Sequence, residues 1–281
     1  MILGASGFIG GRLASALRAR GDDVLTATLR EPKAAAAFAA SCDAIVNLAG
    51  EPVAQRWNDA VKRRIKESRV DLPRRFIEAL AQQPKRPSTY VTASAIGYYG
   101  TSESATFVEE SPSGDDFLAR VCAEWEREAQ RAADLGMRVA CVRTGVVLGT
   151  GGGALPKMLV PFRAGLGGKI GSGRQWFSWI HAGDITGIYL MAIDKASGPL
   201  NATAPNPVTN AEFTKTLAAE LHRPAFLPVP TVALRAILGE GAGALLQGQR
   251  VLPERTRALG YAFEFSRLSE ALADLLQRRA R

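Results

Sequence analysis

Met1-Ile2-Leu3-Gly4-Ala5-Ser6-Gly7-Phe8-Ile9-Gly10 begins the chain. Glycine recurs at 4, 7 and 10, after three apolar residues and around an apolar pair that starts a helical period. From Phe8 the apolar positions Phe8, Ile9, Leu13, Ala16 and Leu17 follow that period, and Gly21 stops it. Glycine at a strand-to-helix turn lets the backbone approach a pyrophosphate, and the helix that follows offers free N–H groups and the positive end of its dipole. Gly4, Ser6, Gly7, Phe8, Ile9 and Gly10 are therefore the expected phosphate-turn residues. Only three residues precede the first glycine, where a strand usually has about five. Either the strand is short or the chain as written begins a few residues late.

Working outward, Val24–Leu29, Ala44–Leu48, Thr89–Ala93 and Val139–Arg143 read as further strands. Helical stretches lie at Phe8–Arg20, Asn58–Gln82 and Phe117–Leu135, and Ala34–Ala37 reads as a helix surface. Apolar strands alternating with helices predict an α/β, Rossmann-type doubly wound parallel sheet. From about Gly149 glycine and proline become denser, as in Gly149–Gly153, Gly165–Gly168, Pro205 to Pro207 and Pro228 to Pro230. Such segments interrupt helices. The expected division is 1–150 plus about 178–205 for the dinucleotide-binding domain, and about 151–177 with 206–281 for a smaller carboxyl-terminal substrate lobe.

The end of the second strand reads Ala27-Thr28-Leu29-Arg30, where an Asp or Glu would hold an adenosine ribose diol and select NAD. Thr28 and Arg30 supply instead a hydroxyl and a guanidinium, which suits a 2′-phosphate by charge and fork geometry. NADP(H) is thus the preferred cofactor, with NAD(H) the alternative because Glu31 stands alongside. The third strand ends in Asn47-Leu48-Ala49-Gly50, small enough to leave room for a cofactor at the sheet edge, or an ordinary strand exit.

The 281 residues are 47% hydrophobic and 22% charged, ordinary for a globular protein, and no apolar run approaches the ~20 residues of a membrane-spanning helix. No positive region followed by a long apolar core stands at the amino terminus, so no secretion signal is read there. Cys42, Cys122 and Cys141 are far apart and read as buried free thiols, which points to a reducing cytoplasm. With only two histidines, His181 and His222, no metal site is expected. The net charge of +8 is scattered; Lys62-Arg63-Arg64 and Arg278-Arg279 read as solvated helix faces without interleaved aromatics. Nucleic acid is therefore not the expected partner; a basic surface that favours an anionic cofactor or small-molecule substrate accounts for the charge. The sequence does not indicate an oligomeric state.

Several segments together resemble the extended short-chain dehydrogenase/reductase superfamily. They are the glycine turn, Asn47–Glu51, Arg56-Trp57, Ser94-x-x-Gly97-Tyr98-Tyr99-Gly100, Arg143–Gly149 and Trp179–Asp184. Within it, Ser68-Arg69, Gly171–Phe177, Asn201–Pro205 and Gly248–Pro253 resemble the atypical "epimerase family" branch, related to NAD-dependent epimerases and dehydratases. The resemblance implies NADP(H) bound by the Rossmann domain. It implies that Leu48, Ala49 and Gly50 line the cofactor and that Arg69 reaches towards it. Ala93 and Ser94 are further expected cofactor contacts, and the Gly145-Val146-Val147 turn would pass near the nicotinamide.

One departure matters. Redox members of the superfamily use a Tyr-x-x-x-Lys pair and a Ser or Thr for proton transfer. Here the corresponding helix, Asp116 to Glu126, has neither tyrosine nor lysine, and Ala95 falls at the hydroxyl position with Ser94 one residue away. Ser94, Tyr98, Tyr99 and His181 are the remaining catalytic candidates. Each also has a structural reading: the tyrosines as packing under the loop, His181 at a strand-to-helix junction with Asp184 capping the next helix. Lys157, Arg174 and Trp176 are candidate contacts for an anionic substrate, and Trp176 and Trp179 would wall a pocket or fill the lobe core. Two functions fit: an oxidoreductase or epimerase acting on a small, anionic or sugar-like substrate, or a non-catalytic NADP(H)-binding sensor.

Overall fold

The computed structural model describes residues 1–277. Arg278 and Arg279 lie outside the described residues. Six parallel strands make the central sheet: β1 (Ile2–Leu3), β2 (Thr26–Ala27), β3 (Ala44–Asn47), β4 (Thr89–Ala95), β5 (Arg138–Thr144) and β6 (Gly198–Ala202). Their spatial order is β2-β1-β3-β4-β5-β6. The chain turns to opposite sides after β1 and β3, and the carboxyl ends of those neighbours form the switch point where ligands of such sheets bind.

Helices cover both faces. On one side Leu13, Ala14 and Leu17 of α1 (Phe8–Arg20) pack with Ile185, Ile188 and Tyr189, which belong to the later helix Ala182–Asp194. On the other lie α2 (Pro32–Ala39), α4 (Leu72–Ala81) and α5 (Phe117–Gln130), burying Ala35, Ala36, Phe76, Leu80 and Ala129. Between α3 (Asp59–Lys66) and α4 the helix loosens into a π turn, Glu67–Asp71. Phe76 is fully buried; its truncation to alanine would cost about 3–5 kcal/mol.

The doubly wound α/β sheet is thus as expected, with local corrections. The alanine run is helical as expected, with Ala34 and Ala37 exposed, but Ala35 and Ala36 are fully buried beneath α4, where α2 and α4 pack closely around methyl-sized side chains. Lys62, in the run expected to be solvated, is half-buried and ion-paired with Glu240. Cys122 and Cys141 are buried free thiols, but Cys42 is only partly buried.

A third core forms in the carboxyl-terminal part. It joins α6 (Leu155–Arg163), α8 (Asn210–Glu220) and the last described helix, Leu268–Gln277, while the helix Ala182–Asp194, α7, belongs to the core beneath α1. Leu155, Leu159, Phe213, Leu217 and Leu272 meet there around Trp179, which is fully buried and donates its indole N–H to the Asn206 carbonyl at 3.2 Å. Trp179 is therefore lobe core, not a pocket wall. No described helix is long and apolar enough to cross a membrane.

Candidate functional site

Glycine makes the turn after β1 geometrically possible. Gly4 has φ +85°, and a Cβ there would lie 2.8 Å from the Ala49 nitrogen. A Cβ on Gly10 would lie 2.3 Å from the Gly4 carbonyl oxygen, so α1 closes on the turn only because that position has no side chain. The result is a cleft of about 1010 Å³ at the carboxyl ends of β1, β2 and β3. Gly4, Ser6 and Gly7 form its floor, Thr28 and Arg30 its β2 edge, and Leu48, Ala49 and Gly50 its β3 edge. A cleft of this size takes a dinucleotide, and pockets of ~300–1,000 Å³ are usual for small ligands.

The opposite wall comes from the α3–α4 region: Arg64, Glu67, Ser68, Leu72 and Arg75. In this region the sequence reading assigns only Arg69 to the cofactor. The Ser68 hydroxyl accepts the Glu51 N–H at 3.0 Å and donates to the Ile65 carbonyl at 3.0 Å, tying the wall to the β3 exit. Arg69 does not line the cleft. Its guanidinium lies against Gly50, where a Cβ would come within 3.1 Å, stacks 5.2 Å from the Trp125 ring and donates to Ser68 at 3.3 Å. Burial pulls it below the usual arginine range.

Phe8, Ile9, Gly10, Ala93, Ser94 and Val147 also stand back from this cleft. Phe8 and Ile9 pack against the sheet's α1–α7 core, and Val147 is buried in it. Ser94 lies in β4 in register with Arg143 of β5, so the two side chains share a face, the one covered by α5. The Ser94 hydroxyl donates to Glu126 Oε1 at 2.6 Å. Arg143 grips the same carboxylate with two bonds of 2.8 Å and donates to the Tyr99 hydroxyl at 2.9 Å. Tyr99 in turn donates to Asn201 Oδ1 at 2.7 Å. Burial works against the charge on Arg143, but Glu126 and Tyr99 more than offset it and raise its pKa above its ordinary value. Burial pushes the Tyr99 phenol up to about 12. Ser94 and Tyr99 are thus internal members of one polar network.

Tyr98 differs. Its ring lies flat on the Arg143 guanidinium, 3.5 Å from centroid to carbon, with Tyr99 edge-on at 5.3 Å. Its hydroxyl is not part of the network that holds Tyr99. His181 is the N-cap of α7: Nδ1 accepts the Gly183 N–H at 3.0 Å, and Nε2 lies 3.3 Å from Asp274. The expectation that Asp184 caps this helix is corrected. Asp184 accepts the backbone N–H groups of Glu264 and Phe265 at 2.9 and 3.1 Å, because its side chain leaves α7 towards that segment.

Of the proposed substrate contacts, Arg174 and Trp176 converge on one loop. Arg174 pairs with Glu103 at 3.3 Å, and the Trp176 indole donates to the Glu103 carbonyl at 2.9 Å. Arg250 stacks on the Trp176 ring at 5.1 Å. Lys157, exposed on α6, makes none of these contacts. The residues that sequence reasoning missed are Glu126 and Arg143 as a pair, and Arg64, Glu67 and Arg75 on the wall. A charged residue closing an otherwise apolar strand was the available signal for Arg143, since a buried charge demands a partner.

With that geometry, the model of the NAD dependent epimerase/dehydratase family matches residues 1–203. The chain belongs to that family. A domain of unknown function (DUF1731) matches 229–275. Among epimerase-family relatives, the human Epimerase family protein SDR39U1 is 42% identical over 291 residues, covering 98% of this chain and 99% of its own length. Its crystal structure with NADPH superposes with a TM-score of 0.91, at 40% identity and 98% coverage of both chains. The Arabidopsis thaliana homologue, described as chloroplastic, is 43% identical and covers 98% of this chain and 86% of its own. A Thermus thermophilus UDP-glucose 4-epimerase in complex with NAD shares the fold (TM-score 0.78, 17% identity, 98% and 97% covered). The preference for NADP(H) agrees with the NADPH held by the human epimerase-family protein.

Proposed function

We propose that this epimerase-family chain binds NADP(H) and acts as an oxidoreductase or epimerase on a small, anionic or sugar-like substrate. One observation carries the reading: the glycine-floored cleft at the sheet's switch point has Arg30 on the edge where the adenosine ribose would lie. The turn residues Gly4, Ser6 and Gly7 would receive the pyrophosphate on backbone N–H groups, with Thr28 and Arg30 at the 2′-phosphate and Leu48 to Gly50 along the adenosine. Arg69 would hold the β3 exit in shape through Gly50. Residues 1–150 with about 178–205 would hold the dinucleotide; about 151–177 and 206–281 would shape the substrate side, with Arg174 and Trp176 as contacts. NADP(H) supplies or accepts a hydride there. Of the four catalytic candidates, Tyr98 is the proposed proton carrier, because Ser94, Tyr99 and His181 already serve the fold.

Titration of the purified chain with NADPH and NADH tests the cofactor: binding no tighter than millimolar for both would sink it. A carbonyl and sugar-nucleotide panel followed at the nicotinamide absorbance tests turnover. The sensor reading draws support from the commitment of both Ser94 and Tyr99 to internal bonds. Silence across the panel with a saturated cofactor site would favour it.

A further inference from the structure

The dinucleotide cleft has a neighbour. A second cavity of about 670 Å³ lies between α2 and α4, and the two share three residues: Arg30, Leu72 and Arg75. Beyond this rim the second cavity is bounded by Lys33 and Ala34 of α2 and by Ala79 of α4. Arg30 reaches the rim from the β2 exit, where the Thr28 hydroxyl accepts the Arg30 backbone N–H at 3.2 Å and fixes the loop. Arg75 reaches it from α4. The helix is pinned by its other arginine, since Arg74 meets Glu128 at 3.1 Å and Asp71 at 3.6 Å. Among the described residues neither Arg30 nor Arg75 pairs with a carboxylate. Glu78, which also lines the second cavity, is engaged by Arg131 at 3.3 Å, while Glu31 lies beside Arg30 in that wall.

We propose that Arg75 determines cofactor specificity: with Arg30 it forms a two-sided guanidinium clamp on the 2′-phosphate of NADP(H), which sits at the rim and faces the second cavity. The proposal rests on the NADP(H) reading above. A phosphate near neutral pH carries between one and two negative charges and accepts bidentate bonds from each guanidinium fork. Forks from two separate elements fix its direction as well as its charge, and Leu72 between them offers an apolar surface to the adenosine. A ribose diol gives the clamp nothing to hold, yet leaves both arginines in water at no cost. Discrimination therefore arises as a gain for NADP(H), not a penalty on NAD(H).

The test is calorimetric titration of the full chain and its R75A and R75K variants with two ligand pairs: NADPH against NADH, and adenosine 2′,5′-bisphosphate against adenosine 5′-monophosphate. The members of each pair differ at the 2′-position. R75A is expected to weaken NADPH and the bisphosphate by about tenfold or more, the usual worth of a charge-assisted bond, and NADH and the monophosphate by less than twofold. R75K is expected to fall between, keeping charge without the fork. A wild-type chain that prefers NADPH while R75A keeps the same preference overturns the clamp alone, as does equal weakening of both members of a pair. A wild-type chain that holds NADH as tightly as NADPH overturns the NADP(H) reading and the clamp with it.

Discussion

The Ser94 hydroxyl donates to Glu126 at 2.6 Å, from the strand position nearest the missing catalytic hydroxyl to the helix that lacks the catalytic pair. Glu126 also neutralises Arg143, whose side chain is 4% exposed. Replacing the carboxylate leaves that cation buried beside an amide. E126Q should therefore lose about 3–5 kcal/mol of stability in chemical denaturation, the usual cost of breaking a buried pair, and S94A only about 1 kcal/mol. An E126Q variant as stable as the parent would show that the network does not hold this part of the fold.

The neighbouring tyrosines should separate cleanly. Y99F removes a hydroxyl that both accepts from Arg143 and donates to Asn201, so it should cost about 1–3 kcal/mol. Y98F removes a hydroxyl outside that network and should leave the unfolding midpoint nearly unchanged. With a substrate identified, Y98F should lower kcat by about 100-fold or more, the contribution of a general acid or base. Equal effects of the two on both readouts would remove Tyr98 from the chemistry.

G10A places a methyl 2.3 Å from the Gly4 carbonyl oxygen, so α1 must back away from the turn. Overpacking of this kind costs about 1–3 kcal/mol. NADPH binding should weaken by at least tenfold, while G21A, where a Cβ meets nothing within 4 Å but φ is +94°, should cost stability and leave cofactor affinity intact. Unaltered NADPH affinity in G10A would separate the turn from the cofactor.

Glu128 links α4 to α5. Burial works against its charge, but Arg74 and Arg131 more than compensate and hold its pKa below the ordinary glutamate range. The native state thus binds fewer protons than the unfolded chain as the pH falls towards about 4. Its stabilisation is complete above that range and is lost as the carboxylate protonates. Both arginines are substantially exposed, so screening limits the effect to about 1 kcal/mol. E128Q should show that deficit at pH 7, with the two denaturation curves converging below about pH 4. A deficit that persists at pH 3 would mean that packing, not charge, is responsible.

How far the sequence could be read depended on distance along the chain. The glycine turn, α1 and the parallel order of the sheet are local patterns, and they were legible. The second strand was expected over Val24–Leu29 but pairs only as Thr26–Ala27, because β1 offers two residues to pair with. Arg30 was legible because cofactor edges follow strand ends; Arg75 was not, since only folding brings α4 to that rim. His181 does stand at the strand-to-helix junction expected of it, whereas Asp184 misled in the same manner as Arg75. An Asp near a helix start reads as a cap, yet its partners lie 80 and 81 residues away. The helix α5 was read for what it lacks, while Glu126, visible in that same segment, found its partners in β4 and β5.

The π turn at Glu67–Asp71 works as a phase shift. The Leu72 N–H reaches back to the Glu67 carbonyl, five residues rather than four, so everything after it is rotated by about 100° relative to an unbroken α-helix. Within the turn, Ser68 and Arg69 address the β3 exit; downstream of it, Leu72 and Arg75 share the cleft with Arg30 of the β2 exit. One helical rod thus carries two independently aimed edges. Removing a single residue from the turn would put them back in one phase and uncouple Arg75 from Arg30 without touching either.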